Sequence, residues 1–173
     1  MEKYTEDHRA SVIHTAIALA KILRERAYAP YSNYKVGACA VAIHPEFGTA
    51  LYFGGCNVEN ASYGLTMCAE RVAIYNAIAA GFKDIQYMVI VTEDGGTSCG
   101  ACRQVEYELN PNMTIISFDA QDNIVYHNLS GLLPHAFGPH NLKPSAEGSE
   151  TWVEGYKKWY TKTRYDMFES EPE

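Results

Sequence analysis

The chain has 173 residues, 47% hydrophobic and 20% charged, which is the length of one domain with enough apolar side chain for a substantial core. A formal net charge of −7, with Lys and Arg scattered along the chain, opposes a phosphate backbone and disfavours a nucleic-acid partner. No apolar run approaches the roughly twenty residues of a membrane span, and the polar start MEKYTEDHRA carries no signal-peptide core, so the expectation is a cytoplasmic protein with no membrane partner. In that reducing compartment the five cysteines are expected free or metal-bound rather than paired.

Residues 5–27 show helical spacing, with Val12, Ala16, Leu19 and Leu23 on one stripe and Ile13, Ile17 and Ala20 beside it, before Pro30 and its small polar neighbours stop the helix. Tyr34 to Ile43 and Ala50 to Val58 favour strands and are joined by HPEFGT, which predicts a β-hairpin. A second helix is expected from about Thr66 to Ala80, ending at Gly81, with Val72, Ala73, Ala77 and Ala80 on its apolar face. Tyr87 to Thr92 reads as a buried strand, and a third helix starts near Cys99 and ends before Asn110-Pro111. Met113 to Phe118 and Ile124 to His127 complete the strands. The link DAQDN between them is too short for a crossover, so these last two strands should run antiparallel. The expected fold is therefore α/β, a three-layer α/β/α sandwich on a five-stranded mixed sheet. Residues 1–142 are expected to form one domain. Residues 143–173 form a C-terminal extension: a Pro/Ser/Gly-rich linker from Lys143 to Ser149, then Trp152, Tyr156, Trp159 and Tyr160 at helical spacing.

The chemistry concentrates at Cys68-Ala69-Glu70 and Cys99-Gly100-Ala101-Cys102. Alone, a CxxC is as readily a redox pair or a core coincidence as a metal site, and a CAE tripeptide says less. Joined in this order, each at an expected helix start, they point to zinc, because three thiolates leave a fourth position open for water as catalytic zinc requires. First-turn side chains lean toward the helix N-terminus, which lets Cys99 and Cys102 meet one ion. Glu70, two residues on from Cys68, lies about 200° round a regular helix and reaches the ion only if the first turn is approached end-on. Three thiolates give zinc a net charge of −1, which weakens it as an acid. Two helix N-termini, each worth roughly half a positive charge, together with Arg71 and Arg103, can offset that charge by facing or bonding the sulfurs. His127, His135 and His140 are available as fourth ligands of a closed site, but all lie away from the two helix starts. Cys39 and Cys56 fall inside strands and read as small core residues.

Around this motif stand Ala29-Pro30-Tyr31-Ser32, then Gly55-Cys56-Asn57-Val58-Glu59-Asn60-Ala61-Ser62-Tyr63-Gly64 running into Cys68-Ala69-Glu70-Arg71. Cys99-Gly100-Ala101-Cys102-Arg103-Gln104, Leu132-Leu133-Pro134 and Phe137-Gly138-Pro139 follow in order. From about Tyr28 to Leu142 the chain resembles the cytidine deaminases, in particular the small homotetrameric type with three cysteine ligands. The resemblance implies one Zn²⁺ per chain on Cys68, Cys99 and Cys102, with hydrolysis of cytidine and 2′-deoxycytidine to the uridines and ammonia. It implies that Glu70 carries protons from water to the pyrimidine and the leaving amine. Asn57 and Glu59 match the ribose-binding pair, for which the bland reading is a turn cap in NVEN. Ala61 and Tyr63 match positions that reach a neighbouring subunit's site, Phe137 an aromatic that covers the base from another subunit, and Tyr34 a position often held by Phe. Thr97-Ser98 departs from the family's usual Ser-Pro or Thr-Pro, and a proline would fix that backbone.

Three other readings remain. Deamination of a blasticidin-S-like nucleoside shares CAE and CGxCRQ-like motifs, but the complete NVENASYG favours cytidine. A zinc protein without catalysis is opposed by the intact Glu70 beside an open position, and a polynucleotide substrate by the acidic charge.

Overall fold

A computed structural model describes residues 6–44 and 47–142. The linker and aromatic stripe expected beyond Lys143 lie outside the described residues. The first helix, α1, runs Glu6–Glu25; β1, Gly37–Ile43, and β2, Ala50–Cys56, form the expected hairpin. Then come α2, Ala69–Ala79; β3, Ile85–Val91; α3, Gly100–Leu109; β4, Thr114–Phe118; β5, Ile124–Asn128; and a single-turn α4, Leu129–Leu132. Short 3₁₀ turns lie at Tyr63–Leu65 and Pro139–Asn141.

The five strands make one sheet in the order β2-β1-β3-β4-β5. β1 is antiparallel to both neighbours, β3 and β4 are parallel across the α3 crossover, and β4 and β5 are antiparallel as the short DAQDN link required. The strand period of two sorts β1 between two cores. Cys39 and Val41 join Val89, Val91, Ile116 and Phe118 against Val12, Ile13, Ala16, Ile17 and Ala20 of α1. Ala38 and Ala40 join Met88, Ile90 and Ile115 against Ala69, Ala73, Ile74 and Ala77 of α2, with Val105 and Leu109 of α3 alongside. Helices on both faces of a mixed sheet give the three-layer sandwich. Each large aliphatic side chain buried in these layers contributes about 1.5–3 kcal/mol.

Several element limits differ from the sequence expectation for local reasons. β1 begins at Gly37 rather than Tyr34 because the Asn57 side chain takes the preceding backbone: its Oδ1 accepts from Val36 N–H at 2.9 Å and its Nδ2 donates to Tyr34 C=O at 2.8 Å. α2 begins at Ala69 rather than Thr66 because Met67 pairs in both directions with Val58, leaving Cys68 extended as the N-cap. Ala80 lies past the last turn of α2 and is exposed, while Ile74, at 1% exposure, takes the core position expected of it. On α1 the buried stripe centres on Val12, Ile13, Ala16, Ile17 and Ala20, leaving Leu19 and Leu23 half-buried.

By compactness the chain divides into Met1–Gly138 and Pro139–Glu173. Within the second unit the described residues are Pro139–Leu142, with the 3₁₀ turn closed by Leu142 N–H on Pro139 C=O.

Candidate active site

Two helix starts meet at the end of the sheet. Cys68 and Cys99 are the N-caps of α2 and α3, both with extended backbone, and Cys102 sits in the first turn of α3. Neither N-cap sulfur caps the backbone N–H groups of its own helix, so both are free to face each other. Cys68 Sγ lies 3.8 Å from Cys99 Sγ, Cys99 Sγ 3.6 Å from Cys102 Sγ, and all three within 4.8 Å of one another. Ligands about 2.3 Å from a tetrahedral zinc stand about 3.8 Å apart, so the spacing fits that ion. Among the described residues no other group of His, Cys, Asp or Glu gathers this way.

The sulfurs share charge unequally. Hydrogen bonding from Cys102, with further help from Arg71 and Cys99, pulls the Cys68 thiol down to about 5, while Cys102, bonded to Cys68 and buried, is pushed up. Arg71 Nη2 lies 3.6 Å from Cys68 Sγ and 3.4 Å from Thr66 C=O, so it stands where the charge-offset argument needs a cation. Arg103 does not. Its Nη1 donates to Leu132 C=O at 3.0 Å, and among the described residues it makes no hydrogen bond to sulfur. It is long enough to bridge from α3 to the α4 turn, and that carbonyl takes it.

Glu70 occupies the first turn of α2, is 5% exposed, and faces a cavity of about 210 Å³ that Cys68 and Cys99 also line. The end-on approach required by its position is met because Cys68 is a cap rather than a helical residue. Burial raises its pKa above the ordinary carboxylate value. The cavity is below the 300–1,000 Å³ common for drug-sized ligands, so it admits a small molecule.

Tyr34, Asn57 and Glu59 line the same cavity. Glu59 accepts from Tyr31 N–H at 2.8 Å, from Ser32 N–H at 3.3 Å and from the Ser32 hydroxyl, contacts that hold its pKa low. A carboxylate offers about four acceptor sites, so one remains for a ligand hydroxyl. Asn57, pinned to Val36 and Tyr34, likewise keeps one donor and one acceptor site. The turn cap in NVEN falls instead to Asn60, whose Oδ1 accepts from Ser62 N–H at 2.8 Å. Ala61, Tyr63 and Phe137 are outside the lining of this cavity. Tyr63 is 76% and Phe137 59% exposed, the Tyr63 ring packing edge-on to Tyr31 at 5.9 Å. Cys39 is fully buried in the α1-side core, and burial pushes its thiol up to about 12; the half-buried Cys56 donates to Arg26 C=O.

Thr97, singled out in the sequence, lines the cavity, and the part of that wall formed by Thr92 and Gly96 is what sequence reasoning missed. So is Glu106, fully buried one helical turn beyond Cys102 and accepting from Ser98 Oγ at 2.7 Å; burial pushes its carboxyl up to about 7. A carboxylate on the Cys102 stripe of α3 was the available signal, since the i, i+4 spacing puts both on the core side.

Residues 10–117 match the family described as the cytidine and deoxycytidylate deaminase zinc-binding region. A cytidine deaminase from Sporosarcina psychrophila is 38% identical over 138 residues, covering 78% of this chain and 98% of that protein. One from Halalkalibacterium halodurans is 44% identical over 122 residues, covering 69% and 89%. The crystal structure of cytidine deaminase from Burkholderia pseudomallei superposes with a TM-score of 0.64 at 46% identity, covering 72% of this chain and 98% of that one.

Proposed function

The chain belongs to the cytidine and deoxycytidylate deaminase zinc-binding family, and from that premise we propose that it hydrolyses cytidine and 2′-deoxycytidine to uridine and 2′-deoxyuridine, releasing ammonia. The observation that carries the reading is the gathering of three thiols, two of which line, together with the buried Glu70, one small cavity that Asn57 and Glu59 also line. Zinc held by Cys68, Cys99 and Cys102 supplies, when bound, the acidity that lets water ionise near neutral pH. Glu70 takes a proton from the attacking water and delivers it to N3 of the pyrimidine as C4 gains its new C–O bond. It then moves the second proton from the C4 hydroxyl to the 4-amino group, the C–N bond breaks, and ammonia departs. Asn57 and Glu59 orient the sugar, Tyr34 offers a ring face to the base, and Arg71 limits the negative charge on the sulfurs.

Residues 1–142 form the deaminase domain of this reading and residues 143–173 an extension to it. The protein works as a homotetramer in which Ala61, Tyr63 and Phe137 complete sites on neighbouring subunits; their position outside the chain's own cavity supports this. Five free cysteines suit the reducing cytoplasm, and among the described residues no helix is long and apolar enough to cross a membrane. The deciding assay follows ultraviolet absorbance with cytidine, deoxycytidine, CMP and blasticidin S, with and without a zinc chelator. Loss of both nucleosides, abolished by the chelator and weak or absent for CMP and blasticidin S, is expected. Inertness of zinc-loaded protein toward cytidine would overturn the reading.

A further inference from the structure

The segment from Thr92 to Ser98 leaves the end of β3, forms one wall of the cavity through Thr92, Gly96 and Thr97, and runs directly into Cys99. Thr92 N–H still donates to Phe118 C=O and Glu93 C=O still accepts from Ala120 N–H, but beyond Glu93 the segment has no ladder to hold it. Its position nonetheless sets the width of the site. Side chains from elsewhere in the fold hold it at both ends.

At the near end Tyr34 Oη donates to Asp94 Oδ1 at 2.6 Å. Asp94 Oδ1 also accepts from Gly96 N–H at 3.2 Å, and Thr92 Oγ1 accepts from the same N–H at 2.8 Å. The Tyr34 oxygen fits closely over Gly96: a Cβ there would stand 2.6 Å from it. At the far end the buried Ser98 hydroxyl donates to Glu106 Oε1 at 2.7 Å. Glu106 is 0% exposed, and its Oε2 has no hydrogen-bond partner among the described residues. A carboxyl taken fully out of water for one hydroxyl is costly in stability, and a core position on α3 could be filled by an aliphatic side chain at no such cost. The structural return visible for that cost is that Ser98, next to the Cys99 ligand, is fixed to the helix that also carries Cys102.

We propose that Ser98–Glu106 and Tyr34–Asp94 are a pair of clamps that hold the Thr92–Ser98 wall against the substrate base, making Ser98, Glu106 and Asp94 positioning residues for the deamination proposed above. The inference rests on that reading for its kinetic consequence only; the clamps themselves act on the wall whether or not cytidine is the substrate. Ser98→Ala removes the far donor at little steric cost, Glu106→Leu removes its acceptor, and Glu106→Gln keeps an acceptor. Tyr34→Phe removes the near donor and leaves the ring.

The test combines steady-state kinetics on cytidine, zinc per chain, and amide hydrogen exchange of the zinc-loaded full chain. S98A and Y34F should each raise KM about tenfold, the effect of losing one hydrogen bond, with kcat changed less and zinc content unchanged. Exchange at Gly95–Ser98 should quicken about tenfold in both, while the amides of α1 keep their wild-type rates. E106Q should return KM close to wild type and E106L should not, and S98A combined with E106L should cost no more than S98A alone. Wild-type KM and wild-type exchange at Gly95–Ser98 in both S98A and Y34F would overturn the proposal, even if E106L fails to fold. If wild-type protein proves inert toward cytidine, the deaminase reading falls, and the exchange rates alone decide the clamps.

Discussion

The approach of β2 to α2 is the tightest constraint on the site, and Gly55→Ala probes it. A Cβ at Gly55 would stand 2.4 Å from Ala69 C=O, 2.5 Å from Ala73 N and 2.9 Å from Val72 Cβ. Two of the three contacts are backbone, so no rotamer relieves them. Restoring an ordinary 3.4 Å separation requires the first turn of α2 to retreat by about 1 Å (3.4 − 2.4). That turn carries Glu70 and follows Cys68, so the retreat moves Glu70 and one ligand away from Cys99 and Cys102. Overpacking of this kind costs about 1–3 kcal/mol in stability, and a displacement of about 1 Å costs about 10²-fold in rate. Thermal unfolding should show Tm lower by roughly 2–12 °C at about 2–4 °C per kcal/mol, and kcat/KM for cytidine should fall about a hundredfold, with zinc held less tightly in competition with a chelator. Gly131→Ala, where nothing lies within 4 Å of the added Cβ, is the control and should leave Tm unchanged or slightly raised. If G55A matches wild type in Tm and turnover, the strand-to-helix approach has slack and does not set the site's geometry.

Glu70→Gln keeps an amide that can hydrogen-bond but cannot carry protons, so it should bind zinc normally and lose about 10²–10⁴-fold in kcat; near-normal turnover would end the shuttle assignment. Arg71→Ala should retain zinc while kcat falls about tenfold or more, the order expected for losing a charged hydrogen bond. Full activity in that variant would remove the charge-offset argument. Serial dilution, followed by sedimentation and activity together, should show activity lost as the oligomer dissociates. Fully active monomers would refute shared sites.

The layers and the metal cluster were legible in the sequence because both follow from short-range rules. Alternation along β1 assigned Ala38 and Ala40 to one face and Cys39 and Val41 to the other, and two helix starts carrying cysteines are brought together by any sheet that places α2 and α3 on one side. What escaped depended on partners far apart in the chain. Nothing local says that Asn57 will take the backbone of Tyr34 and Val36 and so delay β1 by three residues, from Tyr34 to Gly37. Nor does Ser98 point to Glu106, since the bond exists only after α3 has folded back beside the loop that precedes it.

Arg103 shows how such long-range partners change the meaning of a motif. Read along the chain, Arg71 and Arg103 are equivalent, one directly after Glu70 and the other directly after Cys102. In the fold Arg71 points along α2 to Cys68, whereas Arg103 reaches outward to Leu132 C=O, and its neighbour Gln104 donates to Phe137 C=O at 2.7 Å. Consecutive residues of the ligating helix therefore grip both ends of the segment from Leu132 to Phe137. Of the two arginines only Arg71 is placed for the proposed charge offset, while Arg103 and Gln104 hold the segment that ends at the exposed Phe137. A shift of α3 would move two ligands and that aromatic together, so the metal site and the surface proposed to meet a neighbouring subunit are mechanically one unit. Arg103→Ala should consequently disturb assembly and KM before it disturbs zinc content, the reverse of the order expected from a sulfur-bonded arginine.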